Sequence, residues 1–198
     1  MSSATGRSPS MATERDHDDL LLSLARRSIE EGLGRRAAPE PPAPLEDWTG
    51  PLLEPAASFV TLKRLGQLRG CRGLLEAARP LYEDVWRNAW SSAYEDPRFL
   101  PLAASELADL DIAISVLSAL EPVAARSEPE LLGQLEPGRH GLVLALGPRR
   151  ATFLPAVWSS LREPEQFLGE LKAKAGLPRD FWSPQMQAWR YTARSIGE

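Results

Sequence analysis

The chain has 198 residues, 43% of them hydrophobic and 25% charged, with a formal net charge of −4. That is enough apolar material for the core of one ordinary domain, or of one domain with an elaborated lobe. The acidic balance argues against a nucleic-acid partner, whose footprint would be basic.

One cysteine excludes an intramolecular disulfide and an iron–sulfur cluster held by this chain alone. With two histidines a classical zinc site is equally disfavoured, so no metal and no cofactor are expected. No apolar run approaches membrane-spanning length, and the first residues lack the apolar core of a signal peptide. The expectation is a cytoplasmic protein with no membrane contact.

Residues 1–16 read as a disordered leader or a mis-assigned start, with a second methionine at Met11 and His17 at its edge. From Asp18, the spacing of Leu21, Leu24, Ala25, Ser28 and Ile29 predicts an amphipathic helix that Gly32 and Gly34 end. Residues 37–44 (AAPEPPAP) read as a proline-rich linker. Residues 58–63 and 67–71 read as a hairpin across Arg64-Leu65-Gly66.

Pro80 opens the strongest helix signal. Leu81, Tyr82, Val85, Trp86, Ala89, Trp90 and Ala93 cover half of the helical wheel, and Glu83, Asp84, Arg87, Asn88 and Glu95 fall on the other half. Asp96-Pro97 stops it. Residues 111–117 (DIAISVL) alternate as a strand, with Ser115 opposite the isoleucines. A short acidic helix follows around Pro129 to Leu135. Residues 141–146 and 150–154 form a second hairpin across Gly147-Pro148, and their apolar runs suggest strands covered on both faces. A helix over 165–175 and a single last strand over 185–194 complete the chain. Hairpins and separated helices give an α+β fold with a mostly antiparallel sheet and an N-terminal helix.

Chemistry concentrates in residues 68–73 (LRGCRG), where the lone cysteine stands between two glycines and two arginines. Nearby cations stabilise a thiolate, and glycines let a ligand approach the backbone. The chain resembles the AMMECR domain family, also called AmmeMemoRadiSam system protein A. The resemblance runs through residues 59–62 (FVTL), 68–73 (LRGCRG), 96–99 (DPRF), 114–118 (ISVLS), 138–142 (GRHGL), 152–155 (TFLP) and 174–177 (KAGL). These blocks occur in the family's order. Arg72 stands where the family usually has an aliphatic residue, and Ala156 where it commonly has glutamine.

The resemblance implies two similar β/α units forming a larger and a smaller lobe within a single domain over residues 18–195. It also implies partnership with a Memo-like protein and a radical SAM protein. The expected function is an accessory or substrate-presenting component with a small-molecule cleft around the LRGCRG motif. The alternative is a small-molecule or modification enzyme with Cys71 as nucleophile and His140 as base.

Candidate catalytic residues are therefore Cys71 and His140, and candidate ligand-binding residues are Arg69, Gly70, Gly73, Arg98, Glu106 and Ser115. Two readings stand for most of them, and Ser115 either lines a cleft or faces solvent. Cys71 is either a buried small hydrophobe or a thiol assisted by Arg69, which strand alternation puts on its face. Arg98 either binds an anion or pairs with Asp96 or Glu106. Glu106 is either a general base or metal ligand, or a turn cap. His140 is either a base or a hydrogen-bonded residue at a strand entrance.

Overall fold

The structure, a computed structural model, describes residues 14–46 and 48–197. These form two compact units. One runs to Val116 and takes in the chain from Ser195 onward; the other is Leu117–Arg194. The fold is α+β, as expected, with two antiparallel sheets.

Helix α1 spans Glu14–Glu31, so the last three residues of the segment read as a leader are helical, and so is His17. Residues 1–13 lie outside the described residues. The apolar stripe holds: Leu21, Leu24, Ala25, Ser28 and Ile29 are the buried residues of α1. Strands β1 (Ala57–Arg64) and β2 (Gln67–Gly73) form the predicted hairpin, and β3 (Leu110–Leu117) the predicted third strand. The sheet is ordered β2-β1-β3-β8, with β8 at Ala193–Ile196.

Helix α2 (Leu81–Tyr94) packs with α1 over this sheet. Val60, Leu62, Ile112 and Ile114 point into one core with Leu21, Ile29, Val85 and Trp86. Each such side chain, fully buried, contributes about 1.5–3 kcal/mol. The proline-rich stretch is strapped down rather than loose, because Trp86 Nε1 donates to the Pro39 carbonyl at 2.8 Å.

The second unit has the sheet order β4-β7-β5-β6. Its strands are β4 (Glu121–Pro122), β5 (Gly141–Leu146), β6 (Arg149–Phe153) and β7 (Gln187–Tyr191). A short helix α3 (Glu128–Leu132) and helix α4 (Pro164–Lys174) complete it. Leu142, Leu144, Phe167, Leu168 and Leu171 make its core, and the Trp158 and Phe167 rings stack with centroids 3.8 Å apart. The buried Lys172 ammonium donates to Glu128 and to the Phe181 carbonyl, so the charge is paired rather than stranded.

Two expectations need correction here. Strand β5 is covered throughout, but β6 is an edge strand with exposed Arg149 and Arg150. The predicted last strand is two strands, β7 and β8. They separate at Thr192 and join different sheets, which a continuous alternation pattern cannot reveal.

Candidate functional site

The LRGCRG motif lies on β2, the outer strand of the first sheet. An outer strand exposes backbone donors, and two of these are covered by side chains. The Cys71 amide donates to Asp96 Oδ2 at 2.9 Å, and the Arg72 amide donates to Ser92 Oγ at 2.9 Å. Ser92 Oγ in turn donates to the Val60 carbonyl at 2.8 Å. Helix α2 and the turn after it therefore hold the motif in place.

Both motif glycines are close-approach positions. A Cβ on Gly70 would lie 2.0 Å from the Ser92 carbonyl oxygen, and one on Gly73 would lie 2.3 Å from that of Ser58. Neither leaves room for a side chain.

The β1–β2 register slips between Leu62 and Lys63: Leu62 faces Gly70, and Lys63 faces Leu68. Arg69 is the residue left without a partner, a bulge that breaks strict alternation. Its guanidinium makes its hydrogen bonds away from Cys71. Nε donates to Glu106 Oε1 at 2.8 Å, and Nη2 donates to Glu106 Oε2 at 2.9 Å and to the Leu100 carbonyl at 3.0 Å. Glu106 also accepts from the Ala103 amide at 2.9 Å. It is thus both a turn cap and an ion-pair partner, held well ionised by Arg69 at a pKa of about 2.

The arginine that contacts Cys71 is Arg98, whose Nη2 is 3.5 Å from the Cys71 carbonyl oxygen. Arg98 is mainly paired with the buried Asp96, through Nη2 at 2.6 Å and Nε at 2.9 Å. These bonds, with the Cys71 amide, hold the Asp96 carboxyl far below the usual carboxylate range. Arg69 and Arg98 both lie against the Phe99 ring, 5.7 and 5.5 Å from its centroid. The 68–73 and 96–99 blocks are thus one structural unit.

The half-buried Cys71 has its sulfur 3.3 Å from Thr61 Oγ1. The two side chains share the sheet face turned away from α2, since Val60 and Leu62 point into the core. On β3, Ile112 and Ile114 point into that core as well, which puts the half-buried Ser115 on the same face as Cys71.

His140 belongs to the second unit, at the entrance of β5. It is buried, and its Nδ1 accepts the Glu136 amide at 3.0 Å. Burial and then the charge of Arg190 push its pKa down, so the ring is neutral and carries its proton on Nε2. Its carbonyl accepts from Trp158 Nε1 at 2.7 Å.

One group of residues was misread from the sequence. Asp84 and Asn88, assigned above to the polar half of α2, are buried. Asp84 Oδ2 accepts from the Ser58 amide at 2.9 Å, from Ser58 Oγ at 2.7 Å and from Asn88 Nδ2 at 2.8 Å. Burial pushes the Asp84 carboxyl pKa up, and the Ser58 bonds oppose it. The signal was present as Asp84, Asn88 and Ser92, a polar stripe at i, i+4, i+8 facing β1 and β2.

Beside this stripe, a cavity of about 290 Å³ opens between β2 and α2. Of the candidate ligand residues only Gly73 lines it, next to Arg72, Arg79, Arg87, Asn88 and Trp90. Among the described residues no group of three or more His, Cys, Asp or Glu side chains is placed to hold a metal ion. No helix among them is long and apolar enough to cross a membrane.

Known proteins are similar to this chain. A protein of Methanothermobacter thermautotrophicus is 35% identical over 186 residues, spanning 93% of this chain and 95% of its own. One of Thermofilum pendens is 38% identical, spanning 90% of this chain and 88% of its own. The crystal structure of the uncharacterized protein PH0010 from Pyrococcus horikoshii superposes with a TM-score of 0.81 at 34% identity. It covers 90% of this chain and 89% of that one. The AMMECR1 family model matches residues 22–196, and the chain belongs to that family.

Proposed function

We propose that the chain is a non-catalytic accessory module that docks a Memo-like protein and a radical SAM protein through the LRGCRG edge. In this reading it presents a small ligand held around that motif. One observation carries the proposal: the Arg69 guanidinium and the Cys71 amide are bound within the fold, while large apolar side chains stand exposed around them. Arg69 is bound to Glu106, and the Cys71 amide to Asp96. Leu65, Leu68 and Leu100 are 77%, 43% and 83% exposed. Leu68 adjoins Arg69 in sequence, and Arg69 bonds the Leu100 carbonyl, so these leucines flank the braced motif. Exposed leucines on a rigid support suit a protein contact better than a bond-making site.

The environments of the two candidate catalytic residues favour the same reading. A thiol nucleophile needs a base with an available lone pair. His140 has its acceptor nitrogen occupied by the Glu136 amide. Among the described residues the Cys71 sulfur contacts the Thr61 hydroxyl and no base.

Co-purification of the tagged chain with a Memo-like and a radical SAM protein of the same organism tests the proposal. Leu68→Asp with Leu100→Asp is expected to abolish capture while the thermal melt is kept, and Cys71→Ser to leave capture intact. Full capture by the double aspartate variant, or loss of pathway activity in Cys71→Ser with capture retained, would refute it.

A further inference from the structure

We propose that the cavity between β2 and α2 binds a small oxyanion, specifically an organic phosphate with a compact apolar body. The proposal rests on the reading that the surroundings of the motif hold a ligand, and it names the place and the chemical class. The cavity lies on the α2 side of β2, the opposite side of the strand from the Cys71 sulfur.

Three arginines line it, Arg72, Arg79 and Arg87. Arg72 and Arg87 form no side-chain hydrogen bond or ion pair among the described residues. Arg79 has only a long ion pair, its Nη1 3.8 Å from Asp84 Oδ1. Glu95 is the one carboxylate of the lining; it is exposed, and it accepts from Ser91 Oγ at 2.7 Å. The lining therefore carries a surplus of cations whose forked donors match a phosphate.

Behind the cations the wall is rigid and buried. Asn88 is 5% exposed and fixed by the Ser58 carbonyl at 3.0 Å and by Asp84. Trp90 is 4% exposed, and its indole Nε1–H has no partner. Trp90, Leu74 and Ala38 supply apolar lining, which suits a short carbon skeleton beside the anionic group. At about 290 Å³ the space is near the small end of ligand cavities, which excludes a dinucleotide or an acyl coenzyme.

Calorimetric titration with phenyl phosphate, benzoate, inorganic phosphate and benzyl alcohol tests this on the full chain. Phenyl phosphate is expected to bind saturably and tightest, benzoate and inorganic phosphate more weakly, and benzyl alcohol not at all. Arg72→Gln and Arg87→Gln should each weaken phenyl phosphate at least tenfold, with unchanged melting in the absence of ligand. Failure of phenyl phosphate to bind at millimolar concentration would overturn the proposal, as would unchanged affinity in the double glutamine variant. Benzoate binding tighter than phenyl phosphate would also overturn it, in favour of a carboxylate site. Partner capture by the same glutamine variants separates the two readings: retained capture with lost phosphate binding leaves the docking surface standing on its own.

Discussion

Arg69 and Glu106, 37 positions apart in the chain, meet through two parallel bonds of 2.8 and 2.9 Å. Their side chains are only 14% and 16% exposed, so the pair is shielded and the bonds are charge-assisted. Glu106→Gln keeps the shape and loses the charge, leaving a largely buried guanidinium under-satisfied. The expected cost at pH 7 is about 1–3 kcal/mol, read by urea denaturation.

The same pair predicts an acid response. The folded-state pKa of Glu106 is depressed from 4.5 to about 2. A depressed carboxylate contributes its full stability above its unfolded pKa and loses it as pH falls through the folded one. The stability gap between the parent chain and Glu106→Gln should therefore be constant above pH 4.5 and close between 4.5 and about 2. A gap that widens on acidification would contradict the assignment.

Asp96 ties the second block of the site to the first. Its side chain is 2% exposed, bonds Arg98 and accepts the Cys71 amide. Asp96→Ala should destabilise the chain by about 2–4 kcal/mol, because it strands Arg98 and uncovers a strand-edge donor. Hydrogen exchange at the Cys71 amide should accelerate more than the global loss alone predicts. Asp96→Asn, which keeps one acceptor, should cost less.

What the sequence made legible was set by local pattern. Pro80 and the apolar spacing after it placed α2 at Leu81–Tyr94, and both hairpins fell where Gly66 and Gly147 put them. The Arg69 contact was not legible, because a bulge breaks the alternation that pairs its face with Cys71, and its partner Glu106 is 37 positions away. Asp84 and Asn88 were misassigned because a wheel of apolar residues treats every polar side chain as solvent-facing. Their burial depends on Ser58, 26 and 30 positions away, whose hydroxyl and backbone satisfy them. The cavity was invisible for a related reason: Arg72, Arg79 and Arg87 converge only once β2 lies against α2.

The motif glycines give a steric prediction. Gly70→Ala would place a methyl group 2.0 Å from the Ser92 carbonyl, which is backbone within α2 and cannot rotate away. Strand and helix would have to part, straining the Ser92 bonds to Val60 and Arg72. A loss of about 3 kcal/mol or more is expected, enough to lower the melting temperature by roughly 10 °C or to prevent soluble expression. Arg72→Ala removes an exposed side chain that forms no hydrogen bond or ion pair among the described residues, and should stay within about 0.5 kcal/mol.

His140 offers a test at milder pH. Burial lowers its pKa from the usual 6.5, so the folded chain resists taking a proton that the unfolded chain accepts. The stabilisation is complete above pH 6.5 and falls as pH drops toward the folded-state value. His140→Asn retains an acceptor for the Glu136 amide and removes the titration, so its stability should vary less between pH 7 and 5 than that of the parent chain. His140→Ala removes the acceptor as well and should cost about 1–3 kcal/mol at pH 7. Calorimetric melts at the two pH values measure both effects. If the parent and His140→Asn profiles instead run parallel, the imidazole is not being held neutral, and the base role set aside above regains its physical footing.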